Sequence, residues 1–215
     1  VRIGHLVAEL DWMDEQRMPL MVMNDILGGG GFTSRITNRI RSDEGLAYSA
    51  GSQLSVGDYW PGAFAVFFQT KNRTVALASK IALEELNRIR SEPVSAEEME
   101  VAKASFIDTF PQNFDSIDAT VSLFASDEYT GRPHEYWYEY QDRVRAVTRE
   151  DVQRAAETHL SPESVAMLIV GRWDEVEPGD EDGRASMADF FGGKVNHLPL
   201  RDPLTLEPME QGDGS

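Results

Sequence analysis

Four consecutive glycines, residues 28–31, place the strongest single constraint on how this 215-residue chain can fold. Glycine is unfavourable in a helix interior, because it loses more backbone freedom on folding than other residues. Residues 16–27 carry apolar side chains at helical spacing, so we predict a helix that stops at the glycine run. A second helix should begin at Thr33 or Ser34, either of which can cap it, and continue toward Gly45.

Strand patterns occur at both ends of the chain and after the second helix. Residues 1–10 alternate as a strand does, and residues 46–55 and 62–69 are two β-type segments separated by turn residues. This spacing predicts a hairpin. Residues 164–171 contain a continuous apolar run, 165–170, which is typical of a strand buried on both faces.

The middle of the chain is helical. Asn72 should start a long helix that ends at Pro93, and Ser95 with Glu98 has the form of a capping box for the next helix. Residues 97–159 keep helical spacing with interruptions, which predicts about three helices. Pairs of acidic residues in these helices are expected where helix faces meet solvent, including Glu84 with Glu85.

Strands and helices occur in runs rather than in strict alternation. This order predicts an α+β fold, a two-layer sandwich in which a mainly antiparallel sheet packs against helices. Beyond Trp173 the composition shifts to Gly, Pro, Asp and Glu. We therefore assign residues 1–175 to one domain and residues 176–215 to a C-terminal extension that is in part irregular or flexible.

Charge and cysteine content exclude several classes of function. The formal net charge is −17, from 37 acidic and 20 basic residues, so nucleic acid is not an expected partner. Such an acidic surface is typical of proteins that work at high salt, where the repulsion between like charges is screened. It is equally consistent with an acidic protein from an ordinary habitat. There is no cysteine, which removes disulfides, thiolate nucleophiles and cysteine-based metal sites.

The sequence contains no apolar run long enough for a membrane-spanning helix, so we expect a soluble protein. It starts with Val1 and lacks a basic and then apolar leader, so we expect a fragment or a processed product. The compartment stays open between periplasm and cytoplasm.

The glycine run is a poor phosphate-binding loop. A Walker loop needs a Gly-Lys-Ser/Thr end, and the chain has no lysine before Trp60. A dinucleotide-binding loop needs a glycine where Thr33 stands and a strand before it, where the pattern predicts a helix. A sharp turn between two helices is the simpler interpretation.

Residues 27–36 read LGGGGFTSRI and residues 40–48 read IRSDEGLAY. Together they resemble the LGGG-x-x-SRL…IR-x-x-x-GLAYS pattern of M16 zinc metallopeptidases, the family of insulinase, pitrilysin and mitochondrial processing peptidase. The resemblance is to the non-zinc-binding half, either a C-terminal domain or an inactive subunit. It implies the LuxS/MPP-like metallohydrolase fold, in which two such halves close around a peptide.

The inverted zinc motif of the active half, His-x-x-Glu-His, is absent. The four histidines are far apart in sequence, so we predict no metal site in this chain and expect zinc in the partner domain or subunit. These histidines are His5, His134, His159 and His197.

The resemblance implies that this half contributes an Arg and a Tyr that reach across the cleft to the partner's zinc site. Arg41 and Tyr48 occupy those positions. A guanidinium and a phenol can both donate hydrogen bonds to a substrate carbonyl or to the oxyanion formed when zinc-bound water attacks. The ordinary alternatives are a surface salt bridge of Arg41 with Asp43 or Glu44, and a core position for Tyr48.

Peptide contacts are also expected from the glycine turn at Gly29, Gly30 and Gly31, and from a strand edge to which an extended peptide adds. A plain interhelical turn explains the glycines equally well.

The function predicted from the sequence is the non-catalytic half of a zinc metallopeptidase, inactive by itself, that binds peptide and supplies transition-state contacts. Its expected partners are a zinc-binding M16 domain, in the same chain or in a partner subunit, and a peptide substrate, with dimerisation left open. The alternative is a purely structural or assembly domain without peptidase activity. A third, weaker alternative is a small-molecule site at the glycine turn.

Overall fold

Four strands form one antiparallel sheet in the computed structural model, which describes residues 1–209. Strand β1 is Arg2–Val7, β2 is Ala47–Ser55, β3 is Gly62–Thr70 and β4 is Ala166–Leu168, and their order across the sheet is β2-β3-β1-β4. The predicted hairpin is the β2–β3 pair, while β1 pairs with both β3 and β4. The predicted α+β fold with an antiparallel sheet is therefore confirmed.

The described part of the chain contains eight α-helices. The element order of strand, helices, hairpin, helices and strand agrees with the sequence prediction. Between residues 97 and 159 there are four helices where about three were expected, because each interruption of the pattern ends a helix. The helices are α1 (Arg17–Asn24), α2 (Arg35–Thr37), α3 (Val75–Ser91), α4 (Ala96–Thr109), α5 (Ile117–Thr130), α6 (Glu135–Ala146), α7 (Arg149–His159) and α8 (Trp173–Val176).

Alternate residues of β3 face the helices and form the centre of the core. Phe64, Val66 and Phe68 are buried there, whereas their neighbours in the strand are more exposed. Leu20 of α1 and Leu86 of α3 are fully buried on the helical side. Burying one such side chain contributes roughly 1.5–3 kcal/mol, so the period-two pattern of β3 fixes which face of the sheet the helices cover.

The glycine run lets the end of the first helix lie directly against β2. α1 continues as a π-helical turn, Asp25–Gly29, that enters the run rather than stopping before it. A Cβ atom on Gly28 would lie 2.4 Å from the backbone nitrogen of Ser52. Only glycine allows the two backbones to approach so closely. The helical structure therefore continues into the glycine run, although glycine usually ends a helix.

Helix capping agrees with the sequence at two helices and not at two others. Ser34 precedes α2 but accepts no capping hydrogen bond, and α3 begins after Thr74 rather than at Asn72. Ser95 N donates to Glu98 Oε2 at 2.7 Å, and Glu98 N donates to Ser95 Oγ at 3.1 Å, so the predicted capping box forms. Thr148 and Asp151 form a second capping box at the start of α7. Each box satisfies backbone N–H groups that the first turn of a helix leaves without partners.

Two expectations about burial are wrong. The last strand covers three residues rather than residues 164–171, and Leu168 and Val170 are exposed, because β4 is an edge strand whose one strand neighbour is β1. Glu85 is fully buried instead of facing solvent, because Arg39 reaches it from the turn after α2 at 2.9 Å. Its neighbour Glu84 remains on the surface.

The C-terminal extension starts on the core and leaves it. Ala185, Met187 and Phe190 are buried, whereas residues 194–201 are all exposed. The boundary at residue 176 stays a prediction, as does the flexibility of the extension, and residues 210–215 lie outside the described residues. Within residues 1–209, no helix is long and apolar enough to cross a membrane.

Candidate functional site

Arg41 and Tyr48 lie side by side on the surface, although they belong to different elements. Arg41 sits on a π-helical turn, Asn38–Asp43, and Tyr48 on β2. The guanidinium carbon of Arg41 is 5.1 Å from the centroid of the Tyr48 ring. The structure therefore brings together the two residues that the sequence resemblance selected.

A β-bulge turns Tyr48 toward solvent. Ala47 pairs with Thr70 and Ser49 pairs with Gln69, so Tyr48 is an extra residue that has no partner on β3. A bulge redirects the side chain of the extra residue. Tyr48 is 86% exposed, which contradicts the alternative of a core position.

Phe32 is a third member of this cluster, and sequence reasoning did not single it out. Its ring centroid lies 4.2 Å from the guanidinium carbon of Arg41, so Arg41 contacts two aromatic rings. Phe32 is 67% exposed. An aromatic residue inside a glycine-rich turn was the available signal, but nothing in the sequence pairs it with Arg41.

The carboxylates near Arg41 in sequence do not neutralise it. Glu44 binds the guanidinium of Arg184 at 2.7 Å, and Asp43 forms no salt bridge among the described residues. Arg41 likewise has no salt bridge within residues 1–209. The described residues therefore do not contain the surface ion pair that was the alternative interpretation of Arg41.

Hydroxyl groups beneath the cluster connect the turn to the strand. Ser34 Oγ lies 2.9 Å from Thr37 Oγ1, which donates to the backbone oxygen of Ala50 on β2 at 2.8 Å. Ser34 and Thr37 are buried. Since buried hydroxyls need partners, this chain of bonds fixes α2 against β2 and thereby fixes the two elements that carry Arg41 and Tyr48.

Arg35, which follows Ser34 in the motif, is directed away from the site. It binds Glu98 at the start of α4 with two hydrogen bonds, of 2.6 and 3.0 Å. Burial alone would raise the pKa of Glu98, but the bonds from Arg35 and from the backbone of Ser95 lower it to about 2. Arg35 therefore acts as an anchor between the glycine turn and α4.

Phe32 also lines a pocket of about 290 Å³. Its wall includes Asp25, Val101 and the N-terminal turn of α4, where Glu97 and Glu98 lie. Burial raises the pKa of Asp25 from its ordinary 3.8 to about 6. The Asp25 side chain forms no hydrogen bond or salt bridge with other described residues, so nothing offsets this loss of hydration.

The segment that carries this cluster is similar to a known protein family. Residues 6–106, which include the whole Phe32, Arg41 and Tyr48 cluster, match the family profile described as "Peptidase M16 inactive domain". Residues 6–106 are an M16 peptidase inactive domain.

Two curated relatives and a solved structure are similar to this chain. "Non-peptidase homolog YmxG" of Helicobacter pylori is 24% identical over 152 residues, which are 69% of this chain and 34% of that protein. "Uncharacterized zinc protease YmxG" of Bacillus subtilis is 25% identical over 156 residues, 73% of this chain and 37% of that protein. The chain thus spans about a third of each relative.

The solved structure is a peptidase M16 inactive domain from Pseudomonas fluorescens, with a TM-score of 0.69 and 21% identity. The similarity covers 76% of this chain and 38% of that one. At this identity it shows a shared fold, and it agrees with the antiparallel sheet and helices described above.

The histidines do not form a metal-binding group in the described part of the chain. His5 Nε2 accepts a hydrogen bond from Ser161 N at 3.2 Å, and the buried His159 contacts Gln16 Oε1 at 3.0 Å, with burial lowering the pKa of its imidazole. Among residues 1–209, no three His, Cys, Asp or Glu side chains lie close enough together to hold a metal ion.

The three glycines predicted to contact substrate differ in environment. Gly29 and Gly31 are exposed, whereas Gly30 is half-buried beside Asp25. Gly31 has φ +62°, in the left-handed region that favours glycine, and its side-chain position faces open space. Their contact with substrate stays a prediction.

Proposed function

We propose that this chain is the non-catalytic half of a zinc metallopeptidase, and that Arg41 and Tyr48 extend toward a zinc site on a partner domain. One observation carries the proposal. The two side chains lie together on the surface of an M16 inactive domain, and Arg41 has no carboxylate partner among the described residues. A guanidinium placed in this way is available to a group outside the chain.

The chemistry required of the pair is hydrogen-bond donation. A zinc ion held by the partner would supply the attacking water and polarise the scissile carbonyl. Arg41 and Tyr48 donate to the oxygen on which negative charge develops, a contribution that strengthens as the oxyanion forms. Neither group activates water by itself, so this chain alone does not cleave peptides.

Peptide binding is expected beside these donors. β2 is an edge strand of the sheet and carries Tyr48, so an extended peptide that adds to β2 passes close to the phenol. Backbone hydrogen bonds then give affinity, and the glycine turn at Gly29, Gly30 and Gly31 borders the same surface.

A structural or assembly domain without peptidase activity is the second candidate. The observation in its favour is that the Helicobacter pylori relative is named a non-peptidase homolog. The partner in that case is another M16-type subunit or a second copy, and Arg41 and Tyr48 lie at an interface.

The experiment that separates the two candidates is reconstitution. The gene is searched for a His-x-x-Glu-His motif upstream in the same polypeptide or in an adjacent product, and that zinc-binding half is assayed with and without this chain. Peptide cleavage that requires both halves supports the peptidase proposal. A complex that contains zinc but cleaves no peptide supports the assembly function, and absence of the motif from both places contradicts the peptidase proposal.

A further inference from the structure

We propose that Phe32 is a positioning residue that holds the guanidinium of Arg41 in the orientation in which it faces the partner's site. This inference rests on the proposed function, because it gives Phe32 a role in the same site. It goes beyond that function in naming a residue that neither the sequence motif nor the comparisons assign to it.

Arg41 lies between two aromatic rings. The guanidinium carbon is 4.2 Å from the Phe32 centroid and 5.1 Å from the Tyr48 centroid. Both distances are within the range of cation–π attraction, which fixes where the cation lies without using its N–H donors. The donors therefore stay free for an oxygen of the substrate.

The aromatic contacts hold the Arg41 side chain in place of a carboxylate partner, which Arg41 lacks among the described residues. An arginine side chain has several rotatable bonds and is commonly held by a carboxylate, but Glu44 is bound to Arg184. A carboxylate on Arg41 would also compete with the developing oxyanion. An aromatic ring restricts the guanidinium and leaves its charge uncompensated.

The glycine turn places Phe32 for this contact. Gly31–Thr33 is a 3₁₀ turn that starts at the left-handed Gly31, and it is closed by the bond from Ser34 N to Gly31 O at 3.1 Å. Thr33 Oγ1 donates to Gly30 O at 2.9 Å. These bonds fix the backbone on both sides of Phe32, while its ring stays 67% exposed with Arg41 over one face.

The test compares Phe32→Leu with Phe32→Tyr in the complex of this chain with its zinc-binding half. Leucine keeps apolar volume but has no π face, whereas tyrosine keeps the face. We expect Phe32→Leu to lower kcat about 3- to 10-fold with little change in KM, and Phe32→Tyr to restore most of the loss. Phe191→Leu, at another half-exposed phenylalanine, is the matched control and should leave kcat unchanged.

A second readout does not depend on turnover. The Nε–Hε NMR signal of Arg41, assigned by its loss in Arg41→Ala, should move in Phe32→Leu and stay near its wild-type position in Phe32→Tyr. An unmoved signal in Phe32→Leu overturns the positioning role even if Arg41→Ala lowers turnover. A third outcome is that the signal moves in Phe32→Leu while turnover is unchanged in both Phe32→Leu and Arg41→Ala. That outcome shows that the proposed function is wrong, and the positioning role is then wrong as well.

Discussion

Arg184 binds Glu44 at 2.7 Å, although Glu44 is only three residues beyond Arg41 in the sequence. The contact joins the C-terminal extension to the turn that carries Arg41. Arg184 also binds Asp180 at 3.1 Å, so it is held from both sides. The extension therefore occupies an acidic side chain next to the turn that carries Arg41.

The Arg184 contact predicts a second-site rescue. In Arg184→Ala the carboxylate of Glu44 is released and can pair with Arg41, and a surface pair of about 0.5–1 kcal/mol would lower turnover by roughly 2- to 5-fold. Glu44→Gln added to Arg184→Ala should restore the wild-type rate. The measurement is kcat/KM of the reconstituted enzyme, and equal losses in the single and double variants would rule out competition by Glu44.

The different burial of Glu84 and Glu85 predicts that their alanine variants differ in stability. Glu85 is fully buried and bound to Arg39, whereas Glu84 is exposed. Glu85→Ala removes a fully buried side chain and its ion pair, but Arg39 is partly exposed and keeps its contact with Glu84, so the variant should lower the free energy of unfolding by about 1–3 kcal/mol. Glu84→Ala should cost less than about 1 kcal/mol. Urea unfolding of both variants measures this, and similar losses would contradict the role given to burial.

Asp25 predicts a pH-dependent contribution to stability. Its pKa is about 6 in the folded chain and 3.8 ordinarily, so between these pH values the folded chain binds more protons than the unfolded chain. The free energy of unfolding therefore falls as pH rises through this window. At pH 8, Asp25→Asn should be more stable than wild type by about 1–2 kcal/mol, allowing for solvent screening of a partly buried group.

The control for Asp25 compares the stability of Asp25→Asn and the wild type at a pH below both pKa values. At pH 3.5 the carboxyl group is mostly protonated in both states, so the variant and the wild type should differ little. Both are compared at each pH, which cancels the general effect of the net charge. A stability difference that is the same at pH 3.5 and pH 8 would show that titration of Asp25 is not its cause.

Local signals in the sequence predicted much of the fold. The Ser95 capping box and the β2–β3 hairpin depend on neighbours within a few residues, and both form as expected. The burial of Glu85 and the shortness of β4 depend on which distant element packs against them, so periodicity could not indicate either. The sequence pattern of Glu85 is that of a surface residue, and the approach of Arg39 at 2.9 Å and Arg88 at 3.7 Å makes burial tolerable.

The candidate site divides in the same way. Arg41 and Tyr48 were found through a family resemblance, and the structure supplies their proximity and the exposure of Tyr48. Phe32 was missed because a cation–π contact leaves no spacing signal in a loop. The bulge that exposes Tyr48 was missed as well, since an alternating strand pattern does not show where an extra residue is inserted.

The central claim is that Arg41 and Tyr48 assist a zinc site that lies outside this chain. Its most direct test is kcat for peptide cleavage by the reconstituted enzyme carrying Arg41→Ala or Tyr48→Phe, with zinc content measured in parallel. The controls are Arg149→Ala, at an exposed arginine, and Tyr138→Phe, at a tyrosine that is 87% exposed. We predict that each site variant lowers kcat on the order of 10²-fold at unchanged zinc content, as expected for loss of an oxyanion donor, while both controls stay at the wild-type rate. Wild-type turnover in both site variants would contradict the account.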